Sequence, residues 1–276
     1  PDSLLGRVAL VFATLYVSPA GNPLKLPGRF TSYRNAEEAY AQAMQQFDIY
    51  QRLADNDKRL QLVRNQGDLE AVLATWEDGK EIGERKQGLV ILMEGADPII
   101  EPKQFADWYE RGVRIVGPAW SQTRYAGGTG APGGLTHLGR ELLEEMRPFN
   151  TLLDLSHLAE QAYNEAIDQY DGPIIASHSN PRKFRNSDRH LSDNMIRRLA
   201  ERDGVMGIVL FNRFLSDTWD PKDGKLPLSI VLDAIDHVCQ VTGSAAHVGI
   251  GSDFDGGFGA ESIPDTISTT TDLLDI

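Results

Sequence analysis

Short apolar runs alternate with longer segments of helical periodicity along the chain, and this alternation predicts an α/β fold with a parallel sheet. The helical segments include HLGRELLEEM, which follows Thr136, and SIVLDAIDHVCQV, which precedes Gly243. Threonine commonly caps the start of a helix, and glycine commonly follows its end. The main apolar runs, which we interpret as strands, lie near Val8, Val90, Ile115, Leu153, Ile174, Met206 and Val248.

The segment 151–180 shows the pattern of strand, helix and strand most clearly. TLLDLSH and GPIIASHS are its apolar runs, and AEQAYNEAIDQY between them places Ala162, Ala166 and Ile167 on one helical face. A helix that crosses between two strands in this way makes the strands parallel. His157 and His178 close the two strands, at the carboxyl ends where parallel sheets bind their ligands.

The closed (β/α)8 barrel is the most common fold with this alternation at about 250 residues, and it requires eight strands and a helix after the last. Because the 276-residue sequence offers one strand too few, we expect a single barrel domain over residues 1–276 whose first strand and last helix are missing from this sequence. The Pro- and Gly-rich segment 18–29 is expected to be a surface loop. The glycine-rich segment 123–134 is expected to be a flexible loop, and it lacks the GxxxxGK[ST] pattern of a phosphate-binding loop.

Acidic residues outnumber basic ones by 40 to 27, which gives a formal charge of −13 and a pI near 4.9. A nucleic-acid backbone or an anionic membrane surface is therefore an unfavourable partner. No run of about 18 apolar residues is present, so no membrane-spanning segment is predicted. The start of the sequence lacks the features of a signal peptide, and we expect a cytoplasmic protein unless an export signal precedes Pro1.

Four side chains that can bind a metal stand at the carboxyl ends of predicted strands, and they are Glu94, His157, His178 and Asp253. Carboxylates combined with imidazoles favour zinc or a similar transition metal over calcium or magnesium. A shared carboxylate can bridge two ions, and the water between them becomes a hydroxide nucleophile. This combination predicts a metal-dependent hydrolase.

Each of these side chains also has a structural interpretation. A single histidine is more often a hydrogen-bonded core or surface residue than a metal ligand, but two histidines at equivalent strand ends favour ligands. Glu94 could instead form a buried ion pair with an arginine such as Arg114. Asp253 could be a turn residue of SDFDGG, since Asp and Gly both favour turns.

The motifs LMEGAD, GVRIV, GLTHLGRELLEEM, LLDLSH, IIASHSN, SDRHLSD and VGIGSDFDGG occur in this order across nearly the whole chain. Their order and spacing closely resemble the membrane dipeptidase (renal dipeptidase, peptidase M19) family of metal-dependent hydrolases. The resemblance implies a (β/α)8 barrel with two zinc ions that hydrolyses dipeptides, often with tolerance of a D-residue or another unusual C-terminal residue. It also implies that a homodimer is a common state.

By the same resemblance, Glu94 bridges the two ions, His157 and His178 complete the ligands of one ion, and Asp253 belongs to the other. Glu94 and Asp253 are thus the expected catalytic residues, with Asp253 handling a proton. Arg189, eleven residues after His178, matches the arginine that holds the substrate carboxylate. A guanidinium suits that role because its fork binds a carboxylate through two parallel hydrogen bonds.

Two departures from the family pattern affect these expectations. The family's first strand carries a His-x-Asp pair that supplies further ligands to one ion, and no His-x-Asp occurs in this sequence. Two zinc ions are therefore expected if the intact protein contains that strand. Members of the mammalian type also have a histidine at the position of Trp120, where it binds the substrate and the oxyanion. Trp120 offers one N–H donor and no charge, so we expect it to contact the substrate differently.

The sequence thus predicts a zinc-dependent dipeptidase in which a metal-bridging hydroxide attacks the peptide bond. Two alternatives stay open. Trp120 favours an amidohydrolase that acts on another small amide or on a lactone. The missing His-x-Asp favours a catalytically degenerate barrel that binds a small carboxylate ligand through Arg189.

Overall fold

Parallel strands form one sheet in the computed structural model, which describes residues 2–20 and 32–276. The strands of the described residues are β1 (Leu10–Tyr16), β2 (Ser18–Pro19), β3 (Ser32–Tyr33), β4 (Leu60–Leu62), β5 (Gln87–Glu94), β6 (Val113–Gly117), β7 (Ala126–Gly128), β8 (Ala131–Leu135), β9 (Leu152–Asp154), β10 (Ile174–Ala176), β11 (Val205–Ile208) and β12 (Val248–Ile250). Seven strands of the main sheet follow one another in the order β1-β5-β6-β9-β10-β11-β12, and β4 pairs with the start of β5.

Helices connect most of the strands of this sheet, as the alternation in the sequence predicts. The α-helices are α1 (Asp2–Leu5), α2 (Ala36–Asn56), α3 (Gln66–Leu73), α4 (Phe105–Arg111), α5 (His137–Met146), α6 (Glu160–Gln169), α7 (Asp193–Ala200), α8 (Asn212–Leu215) and α9 (Ser229–Thr242). Short 3-10 helices lie between them. No helix within the described residues combines the length and the hydropathy needed to cross a membrane.

Helix ends follow the capping signals of the sequence. The Thr136 hydroxyl accepts a hydrogen bond from the Gly139 N–H at 3.1 Å and starts α5, as predicted. Asn35 caps α2 in the same way through the N–H of Glu38. Helix α9 ends where Gly243 adopts a φ of 77°, a left-handed conformation that glycine adopts without a Cβ penalty.

Strand β5 lies within the buried core. Ile91 and Met93 are almost fully buried, and they pack in the same core as Trp108 of α4 and Leu153 of β9. In the register between β1 and β5, Tyr16 pairs with Glu94, so the carboxyl ends of these strands coincide. This edge of the sheet carries the predicted metal ligands.

The contacts at this edge show that the sheet is curved. Neighbouring strands lie about 4.8 Å apart, so β5 and β10, which have β6 and β9 between them, would be about 14 Å apart in a flat sheet. Glu94 at the end of β5 and His178 beyond β10 nevertheless approach to 3.0 Å. Within the described residues β1 and β12 are edge strands, so the barrel-type sheet is open between them.

The prediction of a flexible loop over residues 123–134 is wrong. Strands β7 and β8 form an antiparallel hairpin there. Its glycines permit close packing: a Cβ on Gly128 would lie 2.3 Å from the carbonyl oxygen of Ser121, and one on Gly127 would lie 2.6 Å from the Gly133 nitrogen. Glycine in this segment therefore reflects close backbone approach and not mobility.

Smaller differences concern element boundaries. The first strand begins at Leu10 and not at Gly6, because residues Asp2–Leu5 are helical. The short strand expected near Leu60 is present as β4 and joins the main sheet. Of the predicted surface loop 18–29, residues 21–29 lie outside the described part of the chain.

Candidate active site

Glu94, His157 and His178 meet at the carboxyl edge of the sheet. The Nε2 atom of His178 lies 3.0 Å from Glu94 Oε1, and the Nε2 atom of His157 lies 3.2 Å from the same oxygen. The two Nε2 atoms are 3.1 Å apart. Both histidines are buried, and the glutamate side chain is 15% exposed. Three ligand atoms of types that bind transition metals thus face one another across a short distance.

This triangle has the size that a metal ion requires. Tetrahedral zinc, with bonds of about 2.0–2.1 Å, separates its ligand atoms by about 3.3 Å. The observed separations of 3.0–3.2 Å come close to that value. The donor set of two imidazoles and one carboxylate is also one that zinc prefers. The residues present therefore fit a bound metal ion.

Each imidazole also has a hydroxyl partner at its other nitrogen. The Oγ1 atom of Thr129 lies 2.9 Å from Nδ1 of His157, and the Oγ atom of Ser177 lies 2.7 Å from Nδ1 of His178. When the hydroxyl accepts a proton from Nδ1, the lone pair of Nε2 is left for a metal. Both contacts thus favour the metal-binding tautomer.

Asp154, at the end of β9, is hydrogen-bonded to both segments that carry the histidines. Its Oδ1 accepts hydrogen bonds from the backbone N–H groups of Ser156 and Ser177, at 3.0 and 2.9 Å. Its Oδ2 accepts the Ser177 hydroxyl, which in turn contacts His178. This buried carboxylate links the two strand ends from which the histidines project.

The charged groups in and beside the cluster shift one another's pKa values. Burial alone would raise the pKa of Glu94, but the charge of His178 and hydrogen bonds with both imidazoles hold it well below its usual range. Burial and the charge of Arg189 lower the pKa of His157 to about 3. The pKa of His178 is raised, because attraction to Glu94 outweighs burial. Glu94 is therefore ionised and His157 neutral at neutral pH, as metal ligation requires.

Arg189 lies directly beside the cluster and is 5% exposed. Its Nη1 donates to Ser179 Oγ at 3.2 Å, and its Nη2 donates to the backbone carbonyl of His178. Among residues 2–20 and 32–276, no carboxylate comes within 4.0 Å of its guanidinium, and its Nε lacks a hydrogen-bond partner. Burying an unpaired charge is costly, so this guanidinium is suited to an incoming anion.

Asp253 follows β12 and lies next to the cluster without joining it. The metal-competent group found among the described residues contains Glu94, His157 and His178 only. The charge of Asp253 nevertheless interacts with those of His178, Glu94 and Arg189, and burial raises its pKa. Its φ of 55° is left-handed, so Asp253 also turns the chain, as the structural interpretation of SDFDGG suggested.

Trp120 forms an aromatic wall beside the cluster. Its ring lies 5.6 Å from that of His157, between centroids, and 5.3 Å from that of Tyr16 in an edge-to-face arrangement. Tyr16 closes β1 opposite Glu94. The wall places two aromatic rings where a substrate side chain could contact them.

The alternative ion pair of Glu94 with Arg114 does not form. Arg114 donates to the carbonyl oxygens of Arg64, Tyr109 and Val113 and lies over the ring of Tyr109. The strand-end pattern thus predicted three residues that meet in the structure, but it gave no sign of Thr129, which lies between glycines in a segment without periodicity. Asp154 could have been found as the buried acid of DLSH.

Comparison with known proteins gives a family match over almost the whole chain. Residues 4–275 match the model of a family described as membrane dipeptidase (peptidase family M19). A Schizosaccharomyces pombe relative, named as an uncharacterized dipeptidase, is 27% identical over 226 residues, which are 79% of this chain and 52% of that protein. The chain spans 52% to 65% of the length of three curated relatives that it matches.

Solved structures show the same fold. A metallopeptidase named dipeptidase AC, of family M19, superposes with a TM-score of 0.81 at 26% identity, covering 99% of this chain and 78% of that one. A Rhodobacter sphaeroides metallopeptidase, solved with a phosphinate mimic of the dipeptide L-Ala-D-Ala, has a TM-score of 0.81 at 25% identity, covering 100% and 80%. These similarities confirm the predicted barrel-type α/β fold.

Proposed function

Because this chain belongs to the membrane dipeptidase family (peptidase family M19), we propose that it is a metal-dependent dipeptidase. The observation that carries the proposal is the buried guanidinium of Arg189, which lies beside the Glu94, His157 and His178 cluster and has no carboxylate within 4.0 Å among the described residues. A metal cluster alone suits many hydrolases. A cluster with an adjacent anion site suits a substrate that has a free carboxylate next to its scissile bond.

We propose zinc as the metal, held by Glu94, His157 and His178. A bound ion supplies Lewis acidity toward the scissile carbonyl and lowers the pKa of water. We also propose a second ion, which Glu94 and Asp253 would hold. It is supported by the position of Asp253 beside the cluster and by the family's binuclear site.

Arg189 limits the length of the substrate. Its Nη2 donates to the backbone carbonyl of His178, so the guanidinium lies next to the segment that carries a proposed metal ligand. A terminal carboxylate bound by Arg189 would therefore keep the scissile bond near the C-terminus of a short substrate. The preferred substrate is therefore a dipeptide, bound by two charge-assisted hydrogen bonds at its terminus.

Asp253 is suited to hold a proton during cleavage. Burial raises its pKa, which makes the carboxylate a better proton acceptor than a solvated aspartate. It would take a proton from the attacking water and deliver it to the leaving amine. Trp120 would contact the substrate side chain through its ring and could offer its indole N–H to the oxyanion.

Acceptance of a D-residue at the C-terminus is a further part of the proposal. It is supported by the Rhodobacter sphaeroides metallopeptidase, whose bound mimic corresponds to L-Ala-D-Ala. In this chain Arg189 fixes the carboxylate, and stereochemistry at the neighbouring carbon then decides only where the side chain points.

The test compares dipeptides that end in a free carboxylate with the same dipeptides ending in a carboxamide. Loss of one charge-assisted contact of about 1.5–3 kcal/mol should lower kcat/KM for the carboxamide by about ten- to a hundredfold. Equal cleavage of both compounds would contradict the role of Arg189. Cleavage of small amides or lactones without cleavage of any dipeptide would favour the amidohydrolase that Trp120 suggests.

A further inference from the structure

The tip of the β7–β8 hairpin, residues Gly128, Thr129 and Gly130, touches three segments of the candidate site. The Thr129 N–H donates to the carbonyl of Trp120 at 3.1 Å. Gly128 forms a backbone bridge with Leu158, the residue after His157. The Gly130 N–H donates to Asp188 Oδ2 at 2.7 Å, directly before Arg189. We call these three residues the hairpin tip.

The two histidines obtain their Nδ1 contacts from different sources. His178 uses Ser177, its own chain neighbour, which Asp154 fixes in place. His157 uses Thr129, 28 residues earlier in the chain and in another element. The orientation of His157 therefore depends on where the hairpin tip lies, whereas that of His178 does not.

His157 also needs outside support because of its backbone. Its φ is 67°, a left-handed conformation that is unfavourable for a residue with a Cβ. Such a conformation persists where surrounding contacts enforce it. The bridge between Gly128 and Leu158 and the Ala159 N–H bond to the Gly127 carbonyl hold the two residues that directly follow His157.

The hairpin is packed closely enough to fix a side chain. A Cβ on Gly128 would lie 2.3 Å from the Ser121 carbonyl oxygen, so the two backbones are in close contact. Thr129 is β-branched, which restricts its side-chain rotamers. Its hydroxyl can thus remain at one position, 2.9 Å from Nδ1 of His157.

We propose that Thr129 is a positioning residue that holds His157 in its metal-binding tautomer and orientation. The Thr129 hydroxyl accepts the Nδ1 proton, and Nε2 then presents its lone pair to the ion. The proposal rests on the proposed function, because it assumes that Nε2 of His157 is a ligand of a metal ion. It adds that the glycine-rich hairpin, remote in sequence from all ligands, sets the affinity for that ion.

The experiment measures zinc affinity by competition with a chromophoric chelator. Loss of a hydrogen bond to a metal-ligating histidine typically weakens metal binding by about ten- to a hundredfold, so Thr129→Val, which keeps the shape of threonine, should show a loss of that size. Thr129→Ser, which keeps the hydroxyl, should restore affinity to within about threefold of the wild type.

Thr242→Val provides the matched control. It also removes a threonine hydroxyl, which bonds the carbonyls of Val238 and Ser244 at the end of α9 and not a residue of the cluster, so zinc affinity should remain within about twofold of the wild type. A Thr129→Val variant that binds zinc as tightly as the wild type would overturn the inference. A wild type that binds no zinc would contradict the proposed function, and the inference with it.

A second measurement on the wild type does not depend on the folding of any variant. Nitrogen chemical shifts of His157 in the zinc-loaded protein should show a protonated Nδ1 and a coordinated Nε2. The opposite assignment would overturn the role of Thr129 even if every variant lost its affinity.

Discussion

The contacts of the residues at the strand ends determine whether these residues can bind a metal or an anion. Glu94, His157 and His178 are common residue types, and what makes them a candidate ligand set is a separation near 3 Å together with hydroxyl groups at both Nδ1 atoms. Arg189 is distinguished by burial without a carboxylate within 4.0 Å among the described residues. Local contacts, more than residue type, therefore define the candidate site.

His190 follows Arg189 and gives a prediction about stability. It is fully buried, neither ring nitrogen has a hydrogen-bond partner in the described structure, and its ring packs edge-to-face on Phe214. Burial and the charges of Arg189, Arg185 and Arg182 lower its pKa from 6.5 to about 3. The folded protein therefore keeps His190 neutral at a pH where the unfolded chain protonates it.

The difference in proton binding at His190 between the unfolded and folded states determines how stability changes with pH. Between pH 6.5 and 3 the unfolded state binds one more proton at His190, so stability falls as the pH falls, by about 1.4 kcal/mol per pH unit. We predict that His190→Leu removes this part of the slope in urea unfolding measured from pH 7 to pH 4. Leu142→Ala supplies the control, since it removes a fully buried apolar side chain without a titratable group and should lower stability while leaving the slope unchanged. An unaltered slope in His190→Leu would contradict the assignment.

At this scale the sequence predicted some site residues and not others. Glu94, His157 and His178 could be predicted because a polar residue that closes an apolar run lies at a strand end, where parallel sheets bind ligands. Thr129 could not be predicted, because its partner is distant in sequence and the pairing depends on hairpin geometry. The roles of the three strand-end residues as metal ligands stay predictions, as do the assignments of Asp253, Arg189 and Trp120 to metal and substrate.

Among the elements, the β7–β8 hairpin is the one that the sequence described least well. Glycine-rich composition suggested flexibility, yet the hairpin packs closely against the chain after β6 and against the turn at His157. Helices were predicted more reliably, because capping residues such as Thr136 and Gly243 act locally. Elements whose glycines serve tertiary contacts require the structure to interpret them.

Two glycines of the hairpin test this interpretation. A Cβ on Gly128 would approach the Ser121 carbonyl oxygen to 2.3 Å, whereas a Cβ on Gly130 would meet nothing within 4 Å. We predict that Gly128→Ala lowers the free energy of unfolding by about 2–3 kcal/mol through overpacking. Gly130→Ala, at a φ of 69°, should cost only about 1 kcal/mol of backbone strain. Urea unfolding measures both, and equal losses would show that the hairpin is not tightly packed.

For the whole molecule, the order of strands explains why distant residues form one site. Strands β5, β9 and β10 end at the same edge of the sheet, and curvature brings their last residues into contact. The alternation of strands and helices predicted this fold class and the parallel pairing of β9 with β10. It could not predict the distances at the edge, because these depend on curvature and on loop packing.

We propose that a metal ion held by Glu94, His157 and His178 enables hydrolysis of dipeptides. The most direct test is the rate at which metal-free protein releases amino acids from a dipeptide as zinc is added. We predict no turnover without metal, a rise that saturates with zinc, and no rise in Glu94→Gln, which lacks the ligand charge. Turnover that is undiminished after complete removal of metal would contradict metal-dependent hydrolysis at this site.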